Sequence, residues 1–251
     1  MPEPNLRLFL TDFNLIFADI QPSEIRTLAR AFKISQDKIK EIIEKLHESN
    51  PDLGTLGVRQ TLTLSPALYQ VQIEAICQAM IQKPASKSAA IMVPFIVDHK
   101  EFQIIVQMIE EIAGRNNLIR RGDYYIDAII ETPRAALDAG NIAPLADSIV
   151  FDTHGLTEFV LALTYKDAQR FLPRFIEKGI YKKDPFDEVP ESVKRFISIA
   201  MRRILDTGFN KNGCYFMGHE NLDMKLLAPF QVAAQKEVAG QDSVRAIDEA
   251  Q

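Results

Sequence analysis

The sequence predicts an α/β fold built on a parallel sheet, and three observations lead there. Short apolar runs such as AAIMV (89–93), closed by Pro94, lack polar alternation, the pattern of a strand buried on both faces. Helix-period stretches with recognisable caps follow such runs, and strands alternating with helices pair in parallel through right-handed crossovers. The stretch YIDAIIETPRAALDAGNIAPLADSIVFDTHGLTE (125–158) reads strand, turn, helix, strand, helix without a break. The 251 residues match the size of an eight-stranded β/α barrel, although only about six strands are recognisable.

Taken in order, NLRLFL (5–10) is a short buried strand. Pro22 opens a helix with Ile25, Leu28, Ala29 and Phe32 on one face, and Ser35 caps another with Ile39, Ile42, Ile43 and Leu46 at helical spacing. SNPDLGTLG (49–57) is loop chemistry. Val58 to Leu64 alternates and predicts a strand. Ser65 and Pro66 start a helix to about Gln82, proline favouring the first helical position. KPASKS (83–88) is a linker, and the strand 89–93 follows. Asp98 and Glu101 form a capping box for a helix ending near Ala113. The next strand carries Glu131 at its carboxyl end; Pro133 begins a short helix, and the following strand ends in Asp152, Thr153 and His154. Further helices begin near Leu156 and span 167–177 and 191–207, with the loop YKKDPFDEVP (181–190) between the last two. Cys214 to Met217 is a final strand, 222–238 a last helix, and the tail is polar.

Composition narrows the function. Apolar residues make up 47% and charged residues 25%, ordinary for a water-soluble domain. A net charge of −5 without a basic tract argues against a nucleic-acid surface. No apolar stretch approaches the roughly 20 residues that span a bilayer, and the N-terminus lacks the plan of a secretory signal. Two cysteines without a CxxC motif argue against structural zinc or a disulfide framework and fit reduced thiols in the cytoplasm.

Chemistry in parallel α/β sheets sits at the carboxyl ends of strands, which singles out Glu131, Asp152 and His154. Five segments carry a resemblance to a known family in order and spacing. They are LHESNPDLGTLGVRQTLTLSPALYQVQIEAI (46–76), IMVPFIV (91–97), IIETPRAAL (129–137), TYKDAQRFLPRF (164–175) and DPF (184–186). The chain resembles the C-terminal phosphoenolpyruvate/pyruvate domain of the pyruvate phosphate dikinases, PEP-utilising enzymes. The likeness runs from about Leu6 to about Ala239.

The resemblance implies a (β/α)8 barrel-like domain over residues 1–240, with 241–251 a polar tail. It implies phosphoenolpyruvate or pyruvate held with Mg²⁺ at the carboxyl-end loops, and a separate histidine domain that carries the phosphoryl group. The chain begins at the family's second strand and lacks its eighth, so the barrel is expected to be incomplete. Two sheet edges are then open to a second copy, a partner chain or the N-terminal helices.

Arg7 and Arg59, each on a predicted strand, match arginines that grip substrate phosphate or carboxylate, a task suited to a planar, permanently charged fork. Glu131 matches a magnesium ligand. The family's second metal carboxylate falls on Gly155, and the asparagine before it falls on His154, placed among the substrate-binding positions. Asp152, three residues earlier, is the alternative carboxylate, and Glu158 is expected on the following helix. The cysteine that moves a proton to and from the pyruvate methyl carbon falls on Met217, whose thioether has no dissociable proton. Cys214 and His219 are the alternatives. Cys77, within an apolar helix, is a small core hydrophobe.

Three readings follow. The first is a domain that resembles the dikinase module and is catalytically impaired. The second is an active phosphotransferase domain working with separate histidine and nucleotide domains. The third is a non-catalytic interaction module or decayed fragment.

Overall fold

Strands without a polar face need cover on both sides, and the sheet meets that requirement. The computed structural model describes residues 6–10, 22–46, 53–63, 66–82, 88–210 and 213–218. Five parallel strands run in chain order: β1 (Leu6–Phe9), β2 (Ala89–Val93), β3 (Tyr124–Ile130), β4 (Ser148–Asp152) and β5 (Cys214–Met217). Every residue of β2 and β3 is buried. Strand order equal to chain order, without reversal, is the winding of a barrel arc rather than of a doubly wound sheet. β1 and β5 are the outer strands of the described sheet.

The two faces of the sheet differ. Ile91, Val93, Ile126, Ala128, Ile130, Ile149 and Phe151 point into the main core with the helices. Met92, Ile129 and Val150 point the other way, with Tyr215 and Met217 packed beside them.

Ten α-helices are described, α1 (Pro22–Phe32) to α10 (Glu191–Leu205). α5 (His99–Arg115) starts at the expected capping box. Asp98 accepts from Lys100 N–H, and Glu101 returns to the Asp98 backbone. Phe102, Ile105, Val106, Ile109, Ile112 and Ala113 form its buried stripe. α6 (Pro133–Ile142) is capped by Thr132, whose Oγ1 accepts from Ala135 N–H and donates to the Ile96 carbonyl.

One strand expectation fails. Of the predicted strand 58–64, the described residues 58–63 belong to the helix α3 (Gly57–Thr63), so the described sheet has five strands instead of about six. Val58, Thr61 and partly buried Leu62 recur at helical spacing, and the Thr63 hydroxyl bonds back to the Arg59 carbonyl. In so short a run the same apolar positions satisfy both periods. The helix expected over 167–177 is two short ones, α8 (Tyr165–Ala168) and α9 (Leu172–Glu177). The predicted helix 222–238 lies outside the described residues. Among the described residues no helix is long and apolar enough to cross a membrane.

The amino ends of β3 and β4 are tied by Asp147, whose side chain is fully buried. Its Oδ2 accepts from Arg120 Nε and from the Ile126 N–H, both at 2.8 Å. Its Oδ1 accepts from Arg121 Nε at 2.7 Å, and its own N–H donates to the Ile126 carbonyl at 2.7 Å. Arg120 also reaches Glu110 on α5 and the Leu145 carbonyl. Burial works against the Arg120 charge, but its bonds to Asp147 and Glu110 outweigh that and raise its pKa. Removing one partner of such a buried cluster leaves a stranded charge, at a cost of about 3–5 kcal/mol. Asp147→Ala is expected to lower unfolding stability by about 3 kcal/mol in urea at neutral pH. A loss below about 0.5 kcal/mol, the scatter of an ordinary surface change, would show that Asp147 does not hold the strands.

Candidate functional site

Strand register decides which side chains meet at the carboxyl ends. Ile130 pairs with Phe151, and Asp152 pairs with Met217. Glu131, one residue past Ile130, therefore stands beside Asp152. Alternation places Glu131, Asp152 and Met217 on the face of Ile129, Val150 and Tyr215, away from the helices.

Main-chain groups position the first carboxylate. Pro94 ends β2, and Phe95 follows with φ 54°, an uncommon conformation for a side chain of its size. That turn aims the Phe95 N–H at Glu131 Oε1, 2.5 Å away. The Phe95 ring is buried against Phe159, with centroids 5.7 Å apart. Arg59 Cζ stands 5.7 Å from the centre of the same ring. Arg59 sits on α3 rather than on a strand, and its Nη1 donates to the carbonyls of Leu53 at 3.1 Å and Gly54 at 2.9 Å. Arg59, on a helix, and Glu131 thus both meet Phe95, the first at its ring and the second at its main-chain N–H.

The second carboxylate caps α7 (Thr153–Leu161). Asp152 Oδ1 accepts from the N–H groups of His154 at 2.9 Å and Gly155 at 3.1 Å. Gly155 fills a narrow place: a Cβ there would lie 3.1 Å from Glu131 Cβ, 3.2 Å from Asp152 Oδ2 and 3.4 Å from Glu131 Oε2. A side chain at 155 would project between the two carboxylates. The loop leaving β5 closes over the same turn. Gly218 has φ 112°, and a Cβ on it would fall 2.7 Å from the His154 nitrogen and 2.9 Å from Thr153 Oγ1. Thr153 Oγ1 donates to the Met217 carbonyl at 2.9 Å, joining the ends of β4 and β5.

The remaining expected site residues are dispersed. The His154 ring packs against Phe186 at 4.8 Å and Tyr165 at 5.6 Å. Glu158 lies on α7, as expected, where it accepts from the Tyr165 N–H. Cys214 packs into the helix-facing core, on the opposite side of β5 from Met217. Burial pushes its thiol up to about 12, and burial, with Glu74 nearby, pushes the Cys77 thiol up to about 11. Arg7 lies on β1 opposite Ala90; its side chain, like all of His219, falls outside the described residues.

Phe95 and Gly218 were not singled out from the sequence. Pro94 after a buried strand marks a sharp exit, but nothing in the sequence names the N–H that meets Glu131. A further group, Asp98, His99 and Asp138, lies at the start of α5 and on α6. It is already engaged: His99 Nδ1 and N–H both meet Asp138 Oδ2 at 2.8 Å, and Arg134 pairs with Asp98. The Lys100 N–H and Arg134 hold the Asp98 carboxyl low. Burial would raise Asp138, but hydrogen bonds from Asn141 and His99 prevail and lower it.

Fold and strand ends together define an α/β protein of the barrel kind, with Glu131 and Asp152 side by side where β3 and β4 leave the sheet. Within that class, residues 8–234 match the family model of the PEP-utilising enzymes, in their PEP-binding domain, and the chain belongs to that family. It is 32% identical to pyruvate, phosphate dikinase of Rhizobium meliloti (strain 1021) over 241 residues, which is 88% of this chain and 27% of that protein. It is 33% identical to pyruvate, phosphate dikinase 2 of Oryza sativa subsp. japonica over 207 residues, 80% of this chain and 22% of that protein. For the enzyme of Clostridium symbiosum the figures are 29% over 183 residues, 70% and 21%. The chain thus spans about a quarter of the length of the curated relatives it matches.

Two outcomes test the geometry. Gly218→Ala forces a Cβ onto backbone at a positive φ and is expected to cost at least about 2 kcal/mol in a thermal melt; an unchanged melt would mean that the β5 loop does not press on α7. Raised thiol pKa values leave little thiolate at pH 8. Iodoacetamide should therefore spare both cysteines of the native chain at pH 8 while labelling both in denaturant. Native labelling should still climb about tenfold per pH unit beyond pH 9, where an ordinary thiol of pKa about 8.5 levels off. Rapid labelling of Cys214 at pH 8 contradicts its placement in the core.

Proposed function

We propose that this chain is a phosphoenolpyruvate/pyruvate-type ligand domain that keeps an oxyanion- and cation-binding end but lacks the group that moves a proton at the pyruvate methyl carbon. One observation carries the reading. Met217, beside Asp152 at the strand end, occupies the position to which the resemblance assigns the proton-transferring cysteine. A thioether neither gives nor takes a proton. Cys214 does not replace it, since it faces the helices and its thiol is pushed up to about 12.

Binding has support from three features. Arg59 is a permanent cation held by loop carbonyls above Phe95. Glu131 is aligned by a main-chain N–H. The place beside it is bordered by carboxylate oxygens, a donor type suited to Mg²⁺, which commonly uses one or two carboxylates with waters and substrate phosphate oxygens. Mg²⁺, held by Glu131, would supply charge neutralisation for a bound phosphate or enolate. Arg59, with Arg7 on β1, would orient the carboxylate or phosphate. Phosphoryl transfer in this setting would require histidine-bearing and nucleotide-binding domains beyond the matched quarter of the relatives' length.

The discriminating measurement is deuterium exchange into the methyl group of pyruvate, in D₂O with Mg²⁺. The chain is expected to stay at background, while calorimetry detects oxalate or phosphoenolpyruvate at millimolar concentrations. Exchange above background would establish a working proton-transfer group and sink the impaired reading. An absence of heat from oxalate, phosphoenolpyruvate and pyruvate alike, with and without Mg²⁺, would sink the ligand-domain reading itself. Met217→Cys is expected to bring in exchange, because general acid–base groups contribute about 10²–10⁴ in rate.

A further inference from the structure

Glu131 and Asp152 are held in the same manner. Each gives one carboxylate oxygen to the main chain: Glu131 Oε1 to the Phe95 N–H at 2.5 Å, Asp152 Oδ1 to His154 at 2.9 Å and Gly155 at 3.1 Å. Each has its other oxygen at the same place. A Cβ on Gly155 would lie 3.2 Å from Asp152 Oδ2 and 3.4 Å from Glu131 Oε2. The side chain that Gly155 lacks therefore marks a gap flanked by carboxylates from two neighbouring strands.

We propose that Asp152 is the second carboxylate ligand of a divalent-cation site with Glu131, serving from position 152 the role that position 155 cannot. The proposal rests on the ligand-domain reading above and specifies which atoms hold the cation. Two carboxylates at one gap repel, and a divalent cation between them reverses the sign of the interaction. Backbone bonds to one oxygen of each carboxylate hold the other in place before the ion arrives, the kind of outer support that metal ligands depend on. The atoms that border the gap include an oxygen of each carboxylate, a hard donor type, so hard cations such as Mg²⁺ and Mn²⁺ are favoured over Zn²⁺.

Asp152 can be tested without losing its structural part, because asparagine and serine cap helices about as well as aspartate. The full chain is titrated with Mn²⁺ alone. Free ion is read from the electron paramagnetic resonance signal, and bound ion from water-proton relaxation. Asp138→Asn removes the Asp98–His99–Asp138 group as a competing site. The parent chain and Asp138→Asn are expected to bind one Mn²⁺ alike. Asp152→Asn, Asp152→Ser and Glu131→Gln should each weaken binding at least about tenfold, with metal-free melts of the two Asp152 variants unchanged. Parent-like affinity in both Asp152 variants overturns the proposal, as does loss only in Asp138→Asn or absence of binding in the parent. Oxalate calorimetry separates the two readings. Oxalate heat with Mn²⁺ binding that ignores Asp152 rejects the cation pair alone. Asp152-dependent Mn²⁺ binding without any oxyanion ligand upholds the pair and rejects the ligand domain.

Discussion

Asp147 holds two arginines and the N–H of Ile126 from a fully buried position, and the geometry at the far end of the sheet depends on it. A charge placed there is stable only when its bonds are complete. Those bonds are complete in one arrangement of β3 against β4, with Ile126 facing Asp147 through two hydrogen bonds. A slip of β3 by one residue against β4 would turn Glu131 toward the helices, bring Ile130 out in its place and part Glu131 from Asp152. Electrostatics at the amino ends of the strands thereby fixes which carboxylates meet at the carboxyl ends.

At those carboxyl ends the main chain does most of the positioning. Phe95 carries an N–H that aligns Glu131, while its ring lies beneath Arg59. The placements of a cation and an anion are thus coupled through a single residue in an uncommon backbone conformation. Thr132 joins the β2 and β3 exits, and Thr153 joins those of β4 and β5. Gly218 completes the closure because it has no side chain to hold the β5 loop away from α7. The result is a row of side chains on linked turns, each turn short and internally bonded.

Much of this was legible in the sequence where local chemistry and long-range packing agree. The wholly apolar run of β2 and the mostly apolar runs of β3 and β4 could be buried only between two layers, and the capping box of α5 names its own start. Family likeness placed Glu131, Gly155 and Met217 in relation to one another, and the register sets Glu131, Asp152 and Met217 in one row. Residues 58–64 misled because a seven-residue run with Val58 and Leu62 four apart satisfies either period, and tertiary packing chose the helix. The converging oxygens of Glu131 and Asp152 were illegible for another reason. Their approach depends on a loop N–H, a helix cap and a missing Cβ, contributed from three separate turns.

The narrowness around Gly155 also constrains the order in which this sequence can change. An aspartate at position 155 while Asp152 is present would press three carboxylates into one gap, with its Cβ already 3.1 Å from that of Glu131. The same substitution after Asp152 has become small and neutral meets a single carboxylate. The two positions are therefore not independent characters. Each sets whether a change at the other is tolerated, and one of the two mutational routes between them is obstructed midway by charge and volume.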